Sequence, residues 1–520
     1  MKRTLEYKAG DKTVTRQINY IPVRYIIAII ITVLEVLAVI SAVVVCCYFI
    51  PYFYIAAWLT EIFCVVKIAS SDDPPEYKVP WMLVVLIIPI AGFMLYFMFY
   101  SRKLKGKFVK RLGELERYNY GIDTKSAEEQ LYKEDPLAAS SAKMLTDISG
   151  SKLFENTALT YFPNGASYFE SVKKDLECAE KFIFLEYFII EKGRFWDGIL
   201  EILERKAKAG VKVRVLYDDI GCMSTLPGNY SKELGRLGID ALPFSKLRGN
   251  ADSEFNNRSH RKILVIDGKI GYTGGINIAD EYIGEVLRFG EWKDTGIRLS
   301  GDGVKELTRL FLNDYGINAK KLPDDGFDYY PECRAEGGGY VIPFGDGPRP
   351  IYEKRVGKSA IKNMLSSATR YVYISTPYLI IDNDLCVSIE SAALRGVDVR
   401  IIVPHVPDKK MVFGITRSFY KRLIDSGVKI YEFTPGFIHA KNYVADDKYA
   451  ITGTVNLDYR SLVHHFENGI WMYGCGAVAD IKRDLDETIA RSEKIEASSL
   501  KTNIITRVLR SVIRIFSPML

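Results

Sequence analysis

The sequence predicts an α/β protein in which N-terminal transmembrane helices precede two α/β halves packed as one pseudo-twofold catalytic unit. Three observations carry this expectation. The N-terminal region is strongly apolar, the strand and helix patterns recur about 180 residues apart, and each repeat holds one copy of the spacing HxKxxxxD. At 520 residues the chain exceeds what one core usually holds, and its length suits about three units.

The first unit covers residues 1–111. From Tyr25 to Val66 nearly every residue is apolar apart from Glu35, Ser41, Thr60 and Glu61. At ~1.5 Å per residue that run exceeds one crossing of a ~30 Å hydrocarbon core, and a break is expected at Pro51. A second apolar run covers Pro80 to Tyr100, and the polar, helix-breaking Ser70 to Glu76 separates the two. Spans are expected over 24–47 and 81–100, with a third over 51–68 left open. No short apolar segment with a small-residue cleavage site follows the basic start, so a signal peptide is not read. Lys2, Arg3, Lys8, Lys12, Arg16 and Arg24 precede the apolar region, and Arg102, Lys103, Lys105, Lys107, Lys110 and Arg111 follow it. The positive-inside rule therefore places both ends in the cytoplasm, which requires an even number of crossings. The expectation is a multi-pass membrane protein with a cytoplasmic catalytic part.

Residues 112–150 connect this region to the first α/β half, 151–322. There an apolar strand over 181–188 precedes a helical stretch from Phe195 to Ala209, then Gly210 and a strand over 211–218. The second half, 351–495, repeats the order with a strand over 371–378, a helix through Ala393, Gly396 and a strand over 397–404. Glycine at a helix end followed by a β-branched run is a helix C-cap feeding a buried strand. Between the halves, 323–350 is rich in Gly, Pro and Asp and reads as a linker. Its Gly337-Gly338-Gly339 run lacks the Gly-Lys-Ser/Thr of a phosphate-binding loop. The tail over 496–520 alternates Arg507, Arg510 and Arg514 with Val508, Leu509, Val512, Ile513 and Phe516. That basic amphipathic pattern suits an anionic leaflet or packing on a core equally.

Composition narrows the partners. A formal net charge of +6 suits an anionic membrane or a phosphate substrate. No nucleic-acid partner is expected, because phosphate-spaced basic stripes with interleaved aromatics are missing. The eight cysteines form no CxxC pair, which favours free thiols in a reducing compartment over a disulfide framework or a zinc site.

The chemistry is expected at His260, Lys262 and Asp267, and at His439, Lys441 and Asp446, the two HxKxxxxD copies. In an extended strand the His and Lys at i and i+2 share one face. The acids end their strands five residues beyond the lysines, a position more structural than catalytic. Gly274-Gly275-Ile276-Asn277 follows the first copy and Gly453-Thr454-Val455-Asn456 the second. Two acids also match, Asp294 before Thr295-Gly296-Ile297 and Glu467 before Asn468-Gly469-Ile470. Phosphodiester transfer needs a nucleophile, a proton donor for the leaving alkoxide and positive charge on the phosphoryl oxygens. Two His-Lys pairs supply all three with no cofactor and no metal. Asn277 and Asn456 are expected to donate to phosphate oxygens, and Asp294 and Glu467 to orient the imidazoles. Spacing leaves open which histidine attacks. His405 reads as structural, and no role is read for His464 or His465.

Paired HxKxxxxD motifs followed by Gly, a small residue and Asn resemble the phospholipase D superfamily. Asn257-Arg258-Ser259-His260-Arg261-Lys262, the apolar N-terminal region, the Trp81, Pro89, Gly92 and Tyr96 pattern and the terminal Ser517-Pro518-Met519-Leu520 resemble bacterial cardiolipin synthases over nearly the whole chain. The resemblance implies two phospholipase D-like halves in a bacterial cell membrane. It implies phosphatidyl transfer between two phosphatidylglycerols with release of glycerol, through a phosphohistidine on His260, with His439 as acid and base. His465 departs from the pattern, since that family commonly has Asn there. Hydrolysis of the phosphatidyl group, transfer to another acceptor and a non-enzymatic membrane adaptor are the competing readings.

Overall fold

The computed structural model describes residues 2–9, 12–19, 23–49, 51–71, 73–88, 90–100, 110–111, 124–246, 256–319, 326, 328–500 and 512–519. Pro89, Arg102, Lys103, Lys105, Lys107, residues 112–123 and 320–325, and Arg507, Val508, Leu509 and Arg510 lie outside them.

An antiparallel hairpin of Lys2–Ala9 and Lys12–Asn19 begins the chain. The helices Val23–Phe49 and Pro51–Ala69 follow, divided at the expected proline, which occupies the first helical position where its missing N–H is harmless. Ile29–Tyr48 is long and apolar enough to cross a membrane, with mean hydropathy 2.9, and none of it is buried inside the protein. The span expected over 81–100 is instead two short helices, Pro75–Ile87 and Ala91–Phe99, of 13 and 9 residues. Neither reaches across a ~30 Å core at ~1.5 Å per residue. The chain folds back on itself between them. A Cβ at Gly92 would lie 2.4 Å from the Val84 carbonyl oxygen, so only glycine allows this approach. Trp81 meets Tyr96 with ring centres 6.0 Å apart, and Tyr100 returns to 6.1 Å from Tyr77.

Two sheets follow, with one topology. The first has seven strands in the order Thr157–Phe162, Gly296–Gly301, Ile270–Gly274, Lys262–Ile266, Phe182–Tyr187, Lys212–Asp218 and Asp240–Phe244. The second runs Tyr340–Asp346, Glu467–Tyr473, Tyr449–Gly453, Asn442–Ala445, Tyr371–Ser375, Asp398–Pro404 and Lys429–Phe433, with Ser492–Lys494 added at its edge. In each sheet the motif strand lies antiparallel to both neighbours, and the next two strands run parallel to one another. The expected linker over 323–350 is corrected by this topology, because its last part is the buried edge strand Tyr340–Asp346. Glycines on both sides and Pro343 disguise it in sequence. At a sheet edge the missing proline N–H is tolerated.

The halves pack through two helices related by the pseudo-twofold. Val304–Asn318 lies on the first sheet and reaches Tyr340–Asp346 of the second, while Gly476–Ala490 lies on the second sheet and reaches Thr157–Phe162 of the first. One apolar core runs through this layer, joining Phe184, Phe311 and Leu307 to Tyr373, Val444 and Ile481. Phe184 and Phe311 stack with ring centres 4.6 Å apart and planes inclined by 9°. Fully burying each such side chain contributes about 1.5–3 kcal/mol. The connecting segment belongs to the second half's core, since Leu131 and Leu145 on the helices Lys125–Glu134 and Pro136–Ser149 pack with Ile342 and Val356. At the far end, Ser517–Met519 meets the helix Pro75–Ile87, and the Arg514 guanidinium lies 4.1 Å above the Phe419 ring.

Candidate active site

Each motif strand is shorter than its motif. The strands are Lys262–Ile266 and Asn442–Ala445, so both histidines stand just before them. The opposite half draws them there. The His260 N–H donates to the Phe466 carbonyl at 2.8 Å, and the His439 N–H to the Lys293 carbonyl at 2.7 Å. Phe466 and Lys293 directly precede Glu467 and Asp294, so each backbone bond sets a histidine beside the other half's acid.

The side chains repeat this exchange. His260 Nδ1 lies 3.0 and 2.9 Å from the two Glu467 oxygens, and His439 Nδ1 lies 2.6 Å from Asp294 Oδ2. Thr454 and Ser461 hydroxyls also donate to Glu467, the latter at 2.7 Å. Gly275 makes room for Asp294, since a Cβ there would stand 2.1 Å from Asp294 Oδ1. Lys262 Nζ donates to the His260 carbonyl at 2.7 Å, and Lys441 Nζ donates to the His439 carbonyl.

Burial sets the protonation states. It pushes His260 down to about 3, with Lys262 adding to the effect against the pull of Glu467. It pushes His439 well below the usual imidazole value, helped by Lys441, Lys262 and Lys409. The two acids diverge. Burial raises Asp294 to about 6 despite Lys441, whereas contact with His260 and His465 overcomes burial and holds Glu467 below the usual carboxylate range. Lys262 falls to about 7 through burial and the neighbouring Lys441, and burial brings Lys441 to about 8. Both imidazoles are therefore neutral at pH 7, beside one firm carboxylate and one that titrates close to neutrality.

The remaining motif residues divide by position. Asp267 and Asp446 face away from the histidines and tie down the starts of neighbouring strands. Asp267 accepts from the backbone N–H groups of Glu180, Lys181 and Phe182, each at 2.8 Å. Asp446 accepts from those of Thr369, Arg370 and Tyr371 at 2.7–2.9 Å. Both adopt positive φ, 52° and 55°, at the turn that ends the motif strand. Asn277 is committed within its own half, accepting from the Ile189 N–H at 3.1 Å and donating to the Tyr282 hydroxyl at 2.7 Å. Asn456 donates its backbone N–H to Ser461 Oγ at 2.8 Å, and its buried Oδ1 meets no partner among the described residues.

Several contributors escaped the sequence reading. Arg258 pairs with Asp218 at 2.9 Å and donates to the Phe244 and Ser245 carbonyls. Arg261 pairs with Asp314 at 2.6 Å and donates to the Glu467 carbonyl at 3.0 Å. These buried pairs clamp the residues on both sides of His260. Phe188 stands edge-on to His260 at 5.2 Å, while Tyr282 and Trp292 flank His439 at 5.7 Å each. No spacing signal marks Phe188, Tyr282 and Trp292, because each reaches the site from a different strand or loop, and none marks Asp218 or Asp314 as the partners of the two arginines. His405 bonds Glu432 at 3.0 Å, away from the site. His464 meets the Tyr77 hydroxyl and so docks the helix Pro75–Ile87 beside the site. His260, His465 and Glu467 bring three ligand-type atoms within 4.8 Å of one another, but His260, Thr454 and Ser461 already engage the carboxylate.

Residues 172–286 and 361–489 match the family described as cardiolipin synthase, PLD-like domain, and residues 62–99 match a phospholipase D-nuclease N-terminal region. The chain is 32% identical over 476 residues to a cardiolipin synthase of Halalkalibacterium halodurans, with 90% of this chain and 94% of that one covered. It belongs to the cardiolipin synthase family. Membership makes it a phosphatidyltransferase of the phospholipase D-like class that associates with membranes. The cardiolipin synthase of a Geobacillus species is 33% identical over 465 residues, covering 88% of this chain and 92% of its own. An uncharacterized protein of Streptococcus mutans is 43% identical over 466 residues, covering 88% and 99%. Among solved structures, the phosphatidylserine synthase of Haemophilus influenzae superposes with a TM-score of 0.56 at 16% identity. It spans 74% of this chain and 99% of its own length, a likeness that establishes the fold.

Proposed function

We propose that this cardiolipin synthase family member transfers the phosphatidyl group of one phosphatidylglycerol to a headgroup hydroxyl of a second, giving cardiolipin and free glycerol. The crossed pairing carries the reading: His260 rests on Glu467 and His439 on Asp294, so one site needs both halves. Glu467 holds the His260 proton on Nδ1 and leaves the Nε2 lone pair free to attack phosphorus. The P–O bond to glycerol breaks as the P–N bond forms. Asp294, raised to about 6, is the acid that readily shares a proton with its imidazole, so His439 gives its Nε2 proton to the departing alkoxide. The second phosphatidylglycerol then loses its hydroxyl proton to His439, and its oxygen displaces His260. Lys262 and Lys441 carry the positive charge opposite the phosphoryl oxygens.

For the membrane region we infer a multi-pass arrangement with two crossings, Val23–Phe49, which holds the apolar stretch Ile29–Tyr48, and Pro51–Ala69, followed by a short hairpin that returns to the side it left. An even number of crossings agrees with basic residues on both flanks, and this supports reading the catalytic part as cytoplasmic. Incubating the purified, detergent-solubilised protein with labelled phosphatidylglycerol tests the reaction. Cardiolipin and glycerol in equal amounts are expected from the native protein and neither from His260→Ala. Phosphatidic acid as the sole lipid product would replace transfer by hydrolysis.

A further inference from the structure

His465 stands against the first motif histidine with no role in the mechanism above. Its ring centre lies 5.7 Å from that of His260 and 6.4 Å from that of Phe188. Its Nδ1 stands 3.8 Å from Glu467 Oε1, on the same carboxylate that holds His260 Nδ1. Both rings thus turn Nδ1 toward one acid and Nε2 away from it. The His465 Nε2 is buried and meets no hydrogen-bond partner among the described residues. Buried polar atoms in folded proteins nearly always have partners, and an orphan beside a reacting centre points to a group that arrives with the substrate.

That group has a chemistry. A phosphorus bonded to His260 Nε2 holds its non-bridging oxygens beside that ring, within the neighbourhood His465 occupies. Lys262 and Lys441 are each tethered to the carbonyl of their own motif histidine, with Lys262 also over the Phe188 ring, so a His465 N–H adds a donor beside theirs on the Glu467 side. We propose that His465 is a third catalytic histidine, whose Nε2–H donates a hydrogen bond to a non-bridging oxygen of the phosphoryl group carried on His260. The inference rests on the phosphohistidine reading above. The bond strengthens as charge gathers on that oxygen in the transition state, so it acts on turnover more than on substrate binding.

The test compares native protein with His465→Phe, which keeps a ring against Phe188 but has no donor, and His465→Gln, which restores an N–H. With labelled phosphatidylglycerol, His465→Phe is expected to lower kcat about 10²-fold with KM changed less than about threefold, and His465→Gln to recover at least about tenfold of the loss. If His465→Phe fails to fold, His465→Leu, which fills the space with no donor, replaces it with the same expectations. Turnover by His465→Phe within about twofold of native overturns the proposal, as does equal loss in the Phe and Gln variants, the mark of a packing role. Those results leave phosphatidyl transfer standing. Native protein without any lipid transfer would sink that reading and this one together.

Discussion

Replacing Glu467 by glutamine strikes the nucleophile without touching it. The carboxylate receives His260 Nδ1 at 2.9 and 3.0 Å and the Ser461 hydroxyl at 2.7 Å, and is itself fully buried. An amide removes the charge and sets an NH₂ against groups that donate. Losing one bond to a charged acceptor costs about 1.5–3 kcal/mol, or roughly 10- to 150-fold in rate. The larger effect is the tautomer, because an amide NH₂ favours a bare Nδ1 and drives the proton onto Nε2, where it blocks attack. A comparable carboxylate-to-amide change in a serine protease triad costs about 10⁴-fold, so Glu467→Gln is expected to lower kcat by about 10²- to 10⁴-fold. The leaving group separates this from loss of the acid. Asp294→Asn weakens protonation by His439, so it is expected to slow transfer from phosphatidylglycerol yet recover with a phosphatidyl ester of p-nitrophenol, which departs without a proton. Glu467→Gln should stay slow with both, read as release of glycerol or nitrophenolate. Recovery of Glu467→Gln but not Asp294→Asn would reverse the roles of the histidines, and a Glu467→Gln enzyme at native rate would refute the reasoning.

Other consequences follow from the same geometry. The lysines act as ammonium groups, and with Lys262 at about 7 and Lys441 at about 8 their charged fraction falls as pH rises through that window. The pH profile of kcat/KM should therefore decline across pH 7–8, and a flat profile to pH 9 would contradict the assignment. Asp267→Ala frees three backbone N–H groups remote from the histidines, so denaturant titration should show a loss of about 3 kcal/mol. The folded fraction should keep kcat within about threefold, and a selective collapse of kcat would give Asp267 a part in the chemistry. Cys178 is an exposed thiol of the first half, so a membrane-impermeant maleimide should label it only after cells are lysed. Labelling in intact cells would place the catalytic part outside.

The core of the site was legible because its spacing is strand geometry. HxKxxxxD is a strand entry, a strand and its closing turn, and two copies announced two similar sheets. The acids were legible as a matched pair, through Asp294-Thr295-Gly296-Ile297 and Glu467-Asn468-Gly469-Ile470. Their exchange between halves was not, because it arises from the pseudo-twofold and from two inter-half backbone bonds that no local pattern encodes. The edge strand Tyr340–Asp346 hid among glycines, and the return of the chain near Gly92 looked like one kinked span because composition alone does not reveal a reversal. Gly10-Asp11, a two-residue hairpin signature, was the unused signal for the N-terminal strand pair. Arg258 and Arg261 stood inside a quoted motif, but their partners Asp218 and Asp314 come from distant elements.

The most direct measurement is the position of the covalent adduct. Native protein mixed with phosphatidylglycerol, quenched on the millisecond scale in alkali to preserve the acid-labile P–N bond, and digested for mass spectrometry should carry the phosphatidyl group on His260. His439→Ala, challenged with the p-nitrophenyl ester, should accumulate the same adduct because no base remains to activate the acceptor. An adduct on His439, or free product formed with no histidine ever labelled, would contradict the mechanism at its first step.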